Sequence, residues 1–169
     1  MDNLEFIQIK RENSLHFETA KKLWIPYFKE LNEHKKVLTD VDIVLNNLQK
    51  RVSIQGVRSN MHFEICLSNE RAIGIANFAV DLGGIKGILD PGYGFIMEFY
   101  ISKDFRRQGY GRCFYNHIEK VFLSHGVGFI YLTPDKITGQ AFWTKFGFYN
   151  SGKVDPDNKM PIYIKKISL

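Results

Sequence analysis

The sequence predicts an α+β fold organised around one strand–helix–strand unit. Three observations carry this. Segments with a two-residue hydrophobic alternation lie at both ends and in the middle of the chain. Two longer segments, 15–34 and 109–124, repeat their apolar residues at helical spacing. Between them Gly94–Ile101 (GFIMEFYI) is an almost unbroken apolar run that leads through a short basic loop into the second of those helices. The 169 residues suit one domain, 1–169, with a sizeable core.

The elements follow in order. Glu5–Lys10 alternates and reads as a first strand. Leu15–His34 sets Ala20, Leu23, Trp24, Tyr27, Phe28 and Leu31 on a helical stripe, but Pro26 removes a hydrogen bond and predicts a kink or break. Thr39 and Asp40 are both candidate N-caps for a second helix carrying Val41, Val44, Leu45 and Leu48. Met61–Leu67 and Ala72–Val80 form a hairpin about the turn Ser68–Arg71. Five glycines then fall within residues 83–94, which reads as a long, mobile loop.

The run 94–101 predicts a central strand covered on both faces. Gly109–Ser124 is a helix stopped by Gly126 and Gly128. Phe129–Leu132 is a short strand, Thr138–Phe146 a helix closed by Gly147, and the segment from Phe148 and Pro161–Ile167 are two last strands. The predicted order is β-α-α-β-β-β-α-β-α-β-β.

Composition narrows the function classes. With 44% hydrophobic and 24% charged residues, a disordered chain is excluded. The net charge of +5 is uneven: residues 101–169 hold 11 basic and 5 acidic side chains, while the first hundred are balanced. A local surplus favours a local anion site over a nucleic-acid footprint, which would need a basic stripe interleaved with exposed rings. Cys66 and Cys113 stand 47 residues apart without metal-ligand spacing, so two reduced thiols are expected and no metal. No apolar run reaches the roughly 20 residues of a membrane span. The start, Met1-Asp2-Asn3-Leu4-Glu5, has no signal-peptide pattern, and a cytoplasmic protein with no membrane partner is expected.

The chemistry concentrates where the central strand meets the helix, at residues 97–112 (MEFYISKDFRRQGYGR). A helix N-terminus exposes unpaired N–H groups and carries about half a positive charge. Gly109 and Gly111 let a ligand lie against the backbone. Arg106, Arg107 and Arg112 supply guanidinium forks suited to phosphate oxygens, so the junction reads as a diphosphate cradle. It matches neither a dinucleotide fingerprint nor a Walker A loop.

The pattern resembles the GNAT family of acyl-CoA-dependent N-acyltransferases, which carries a [QR]-x-x-G-x-[GA] loop after an E-x-Y-[VI] strand. Here the loop is Arg106-Arg107-Gln108-Gly109-Tyr110-Gly111 and the strand is Glu98-Phe99-Tyr100-Ile101. A second family signature, an aromatic pair followed by K-x-G-F, is matched by Phe142-Trp143-Thr144-Lys145-Phe146-Gly147-Phe148. The resemblance is clear over residues 94–150. It implies a single-domain fold with a mixed, mostly antiparallel sheet and helices on both faces. It also implies acetyl-CoA as co-substrate, held by Arg106, Arg107, Gln108, Gly109, Tyr110, Gly111 and Arg112. The pantetheine arm would pair along Phe99, Tyr100 and Ile101 as an added strand, with a backbone N–H there as oxyanion donor. Trp143 is placed on the cofactor side. A primary amine acceptor would attack directly in a ternary complex. No nucleic-acid partner is implied, and a homodimer is compatible.

An alkyl amine with a pKa of about 10.4 needs a base at neutral pH. Glu98 is the only acid in the central strand and is the expected base, direct or through water; the competing reading is a carboxylate that faces solvent or pairs with a basic residue. Two positions depart from the family. Trp143 stands where a tyrosine usually protonates the leaving thiolate, which indole cannot do; Tyr149 is a nearby substitute that spacing does not establish. Lys136 replaces a common asparagine and reads as solvated. Trp24, Tyr27 and Phe28 read as packing, Glu30 and Glu33 form no clean acidic pocket, and His62 and His117 read as packing or surface. The alternative to an enzyme is a non-catalytic acyl-CoA-binding module on the same fold, motivated by Trp143.

Overall fold

A computed structural model describes residues 3–168. Met1 and Asp2, which open the segment expected to carry no signal-peptide pattern, lie outside them. The strands are β1 (Leu4–Gln8), β2 (Met61–Ser68), β3 (Arg71–Asp81), β4 (Tyr93–Ile101), β5 (Phe129–Leu132), β6 (Tyr149–Val154) and β7 (Pro161–Lys166). The helices are α1 (Ser14–His34), α2 (Val41–Ser53), α3 (Tyr110–Ser124) and α4 (Gly139–Thr144). The order matches the sequence reading, with a 3-10 turn at Lys103–Phe105 added. The seven strands are ordered β1-β2-β3-β4-β5-β7-β6. β4 and β5 are parallel, joined by α3, while β1–β2, β5–β7 and β6–β7 are antiparallel. This is the mixed, mostly antiparallel sheet expected.

The strand β4 is central in this order but not covered evenly: Gly94, Ile96, Glu98 and Tyr100 are buried, while Tyr93, Phe95, Met97 and Phe99 are half-buried. The apolar run had suggested full cover on both faces. Its half-buried positions carry aromatic and methionine side chains, whose apolar surface hides the alternation at the level of sequence.

The chain divides into two compact units. One comprises the chain up to Asn77 together with Glu98–His117; the other comprises Phe78–Met97 and the chain from Ile118. In the first, α1 starts at Asn13, whose Oδ1 accepts from the Leu15 and His16 amides at 3.0 and 3.3 Å. Pro26 does not break this helix, which runs 21 residues through it. The lost hydrogen bond is offset by packing, because Trp24 is fully buried against Tyr27, Phe28 and Phe63. Asp40 is the cap of α2, accepting from Asp42 and Ile43, while the Thr39 hydroxyl accepts from Asn32 instead. Leu23, Val44, Leu48, Phe63, Ile65, Ile75 and Tyr100 close the core of this unit. Asn69 and Glu70 both take positive φ, the two-residue turn that matches strand twist in a hairpin. Gly74 of β3 lets β4 approach, since a Cβ there would stand 2.6 Å from Ile101 Cδ1 and 2.9 Å from the Tyr100 carbonyl.

In the second unit Leu89, Tyr131, Ile162 and Ile164 form one core cluster. Phe95 stacks on Tyr131 with ring centroids 4.4 Å apart. The glycine-rich loop is fastened at its base: Asp81 Oδ1 accepts from the Gly83 and Gly84 amides at 3.0 Å, and the Gly92 amide reaches the Asp81 carbonyl. Tyr131 donates to the other Asp81 oxygen at 2.8 Å. The helix α4 is shorter than the expected 138–146 because its last turn tightens, with Phe146 bonded to Trp143 and Gly147 to Thr144.

Both cysteines are free thiols, Cys66 buried on β2 and Cys113 half-buried on α3. Burial, and then the neighbouring Cys113, push the Cys66 thiol up to about 12. No described helix is long and apolar enough to cross a membrane.

Candidate active site

The junction after β4 folds as a cradle. Past Ile101 the chain makes the 3-10 turn, then enters a loop in which Arg107 has φ +61° and Gly109 φ +91°. At the entry to α3 the Cys113 amide donates to the Gly109 carbonyl at 3.1 Å. A Cβ at Gly109 would meet nothing within 4 Å, so the backbone there borders open space. The first turn of α3 contains no acidic residue, and Arg107, Gln108 and Arg112 are exposed beside it. These features fit an anionic diphosphate. The residues that would hold it are Arg107–Arg112, by backbone and by the two outer guanidinium groups.

Arg106 faces the other way. Its Nη1 and Nη2 donate to the two Glu30 oxygens, each at 2.8 Å, and its Nε donates to the Ile101 carbonyl at 2.8 Å. The guanidinium also covers the Tyr100 ring at 5.3 Å. Arg106 is committed to joining the cradle to α1, which corrects its reading as a free phosphate arm. Burial alone would raise the Glu30 carboxyl, but the Arg106 fork and the charge of Lys103 outweigh it and hold the group below its ordinary value. Glu30 is therefore not an acceptor-attracting acid. It lies in the wall of a cleft of about 350 Å³ that also includes Pro26, Lys29, Glu33, Tyr100 and Lys103.

Glu98 is nine-tenths buried on β4. Its Oε1 accepts from Arg51 Nη2 of α2 at 2.5 Å. Its Oε2 is sealed from solvent with no hydrogen-bond partner, and the neighbouring Asn77 Oδ1 is likewise without one. Burial pushes this carboxyl above the ordinary value; Arg51, and after it the Asn77 amide, pull the other way without prevailing. Both halves of the sequence reading meet here: the group is desolvated as a base requires, and it is paired with a basic residue.

Phe99, Tyr100 and Ile101 continue the strand toward the cradle, beyond the stretch where Gly94 and Phe95 are in register with β5. Glu98, the strand end and the loop are thus in one unit. Trp143 belongs to the other, where it is buried in a ring cluster with Phe142, Phe146 and Phe148. Tyr149 is exposed on β6 and Lys136 is exposed, as expected for a solvated lysine.

Two features escaped the sequence. Arg51 was not singled out, because nothing local marks it. His62 and His117 are more than packing residues: both flank the buried Glu64, at 3.5 and 2.6 Å. Their hydrogen bonds overcome the effect of burial and lower its carboxyl. His117 also stacks on Phe6 at 4.1 Å. Among the described residues no group of three or more His, Cys, Asp or Glu could hold a metal.

Comparison with known proteins agrees with this fold. The pattern described as the Acetyltransferase (GNAT) family matches residues 19–148. No curated protein matches the chain. Among solved structures, the chain is similar to the PaiA N-acetyltransferase of Thermoplasma acidophilum in complex with coenzyme A (14% identity, 98% of this chain and 99% of that one, TM-score 0.73). It is also similar to an acetyltransferase from Thermus thermophilus (13%, 99% and 100%, TM-score 0.72). A third similar structure is an aminoglycoside 6′-acetyltransferase type Ii (14%, 98% and 98%, TM-score 0.70).

Proposed function

The chain belongs to the GNAT acetyltransferase family, and on that premise we propose that it transfers an acetyl group from acetyl-CoA to a primary amine of a small molecule or peptide, by direct attack in a ternary complex. The observation that carries the reading is Glu98: a desolvated carboxylate with one uncommitted oxygen, four residues before the strand gives way to a phosphate-sized cradle.

Acetyl-CoA supplies an activated thioester acyl group. The amides of the Gln108–Gly111 loop and the Arg107 and Arg112 side chains hold the diphosphate. The backbone of Phe99–Ile101 aligns the arm and offers an N–H to the carbonyl oxygen. Glu98 takes a proton from the acceptor amine, directly or through water, as the carbon–nitrogen bond forms and the carbon–sulfur bond breaks. The electron pair leaves on sulfur. A free thiol ionises near pH 8.5, so protonation of the product is worth only about 2 kcal/mol at pH 7. The absence of a tyrosine at position 143 is tolerable on that scale.

Thiol release from acetyl-CoA across a panel of primary amines tests the reading. Amine-dependent release that Glu98→Gln abolishes, with CoA affinity retained, is the expected outcome. Tight CoA binding with no release for any amine favours a non-catalytic binding module.

A further inference from the structure

We propose that Arg51 is a positioning residue for Glu98: by holding Oε1 it fixes the carboxyl and leaves Oε2 as the one atom that receives the acceptor's proton. The proposal rests on the reading of Glu98 as base. Four observations support it. The Arg51 Nη2 to Glu98 Oε1 contact is 2.5 Å, a charge-assisted bond that fixes which oxygen is occupied. Glu98 Oε2 and Asn77 Oδ1 are two buried acceptors that no hydrogen bond closes, and a buried acceptor left empty is costly. A structural ion pair would close both carboxylate oxygens, as Arg106 does for Glu30. Finally, Arg51 lies over the Trp24 ring at 5.7 Å, which steadies a guanidinium whose side chain is still 30% exposed.

The chemistry follows. Burial favours the protonated carboxyl and the Arg51 charge favours the ionised one, and only the ionised form accepts a proton. Arg51 from α2 and the Asn77 amide from β3 are the charged and polar groups that act on it. Because Oε2 is screened from bulk water, its proton arrives from a group already inside the site or across one bridging water. Arg51 itself exchanges no proton: its guanidinium stays charged throughout.

The test needs no knowledge of the acceptor. The protein is labelled with ¹³C at the glutamate carboxyls and titrated, with the Glu98 signal assigned by its absence in Glu98→Gln. Arg51→Met is expected to raise the Glu98 midpoint by about one to three pH units. Arg51→Lys, which keeps the charge, is expected to raise it by less than Arg51→Met does. CoA affinity should stay within about twofold, since Arg51 is not in the cradle. A second readout is the pH dependence of amine-dependent thiol release, whose acid limb should move up in step with the midpoint. An unmoved or lowered midpoint in Arg51→Met overturns the proposal. If that variant does not fold, an unmoved or lowered midpoint in Arg51→Lys overturns it instead. The failure of the underlying reading looks different: Glu98→Gln would then retain full amine-dependent release whatever Arg51 does to the titration.

Discussion

Two glutamate–arginine pairs in one compact unit share the same chemistry and reach opposite ends. Glu30 and Arg106 meet fork to fork, both oxygens taken, and the carboxyl is held below its ordinary value. Glu98 and Arg51 meet through one oxygen, the other is left without a partner, and the carboxyl is held above it. Counting ion pairs would score them alike. The balance of desolvation against bonded partners separates them. A carboxylate whose bonding is completed is a fastening. One left incomplete in a dry place is held ready for a proton.

The comparison is broken most directly by exchanging the defects. Glu98→Gln should lower amine-dependent turnover by about 10²- to 10⁴-fold, the usual worth of a general base, with CoA affinity unchanged by calorimetry. Glu30→Gln should do the reverse, with CoA affinity falling while the pH–rate profile keeps its shape. If Glu30→Gln moved that profile, the division of labour would be wrong.

The cradle comes next. Gly109→Val forces a β-branched residue to φ +91°, a strain of about 1–3 kcal/mol. CoA affinity should fall by at least tenfold, with unfolding by urea reporting any wider damage.

Stability is the third measure. Glu30→Gln should lose about 2–3 kcal/mol at neutral pH, below the range for a fully buried pair because a third of Arg106 is exposed. Its carboxyl is lowered, so the stabilisation is present above the ordinary value of 4.5 and is lost as pH falls through the folded-state value. Glu98 runs the other way. Its carboxyl is raised, so its contribution is present below 4.5 and is lost as pH rises through the folded-state value. The stability of Glu98→Gln relative to wild type should therefore improve from pH 4 to pH 8, while that of Glu30→Gln should worsen. The smallest effect is expected for Arg107→Ala or Arg112→Ala, each exposed and each worth about 0.5–1 kcal/mol of CoA binding, with a marked salt dependence.

What could be read from sequence and what could not divides along contact range. Element order, the hairpin turn and the glycine loop are local patterns, and the chain wrote them plainly. Arg106 was misread because the loop motif placed it beside two glycines. Its partner Glu30 is 76 residues away on α1, beyond the reach of any local pattern. Arg51 was invisible for the same reason, 47 residues from Glu98 on a helix with no marker of its own. Pro26 erred in the opposite sense: a local rule forecast a break, and the buried Trp24 overrode it. Local signals marked the glycine loop at the entry to α3; which charges are spent in holding it together is settled by folding.

The state of the two thiols has a practical bearing on these measurements. Transfer is followed most simply by trapping liberated thiol with a coloured reagent, and any reactive cysteine of the protein adds background. Cys66 is buried with its thiol pushed up to about 12, so almost none of it is thiolate in the working pH range. Cys113 is half-buried and is the more accessible of the two. Cys113 is therefore the thiol to replace before such an assay, which would leave the chain close to silent.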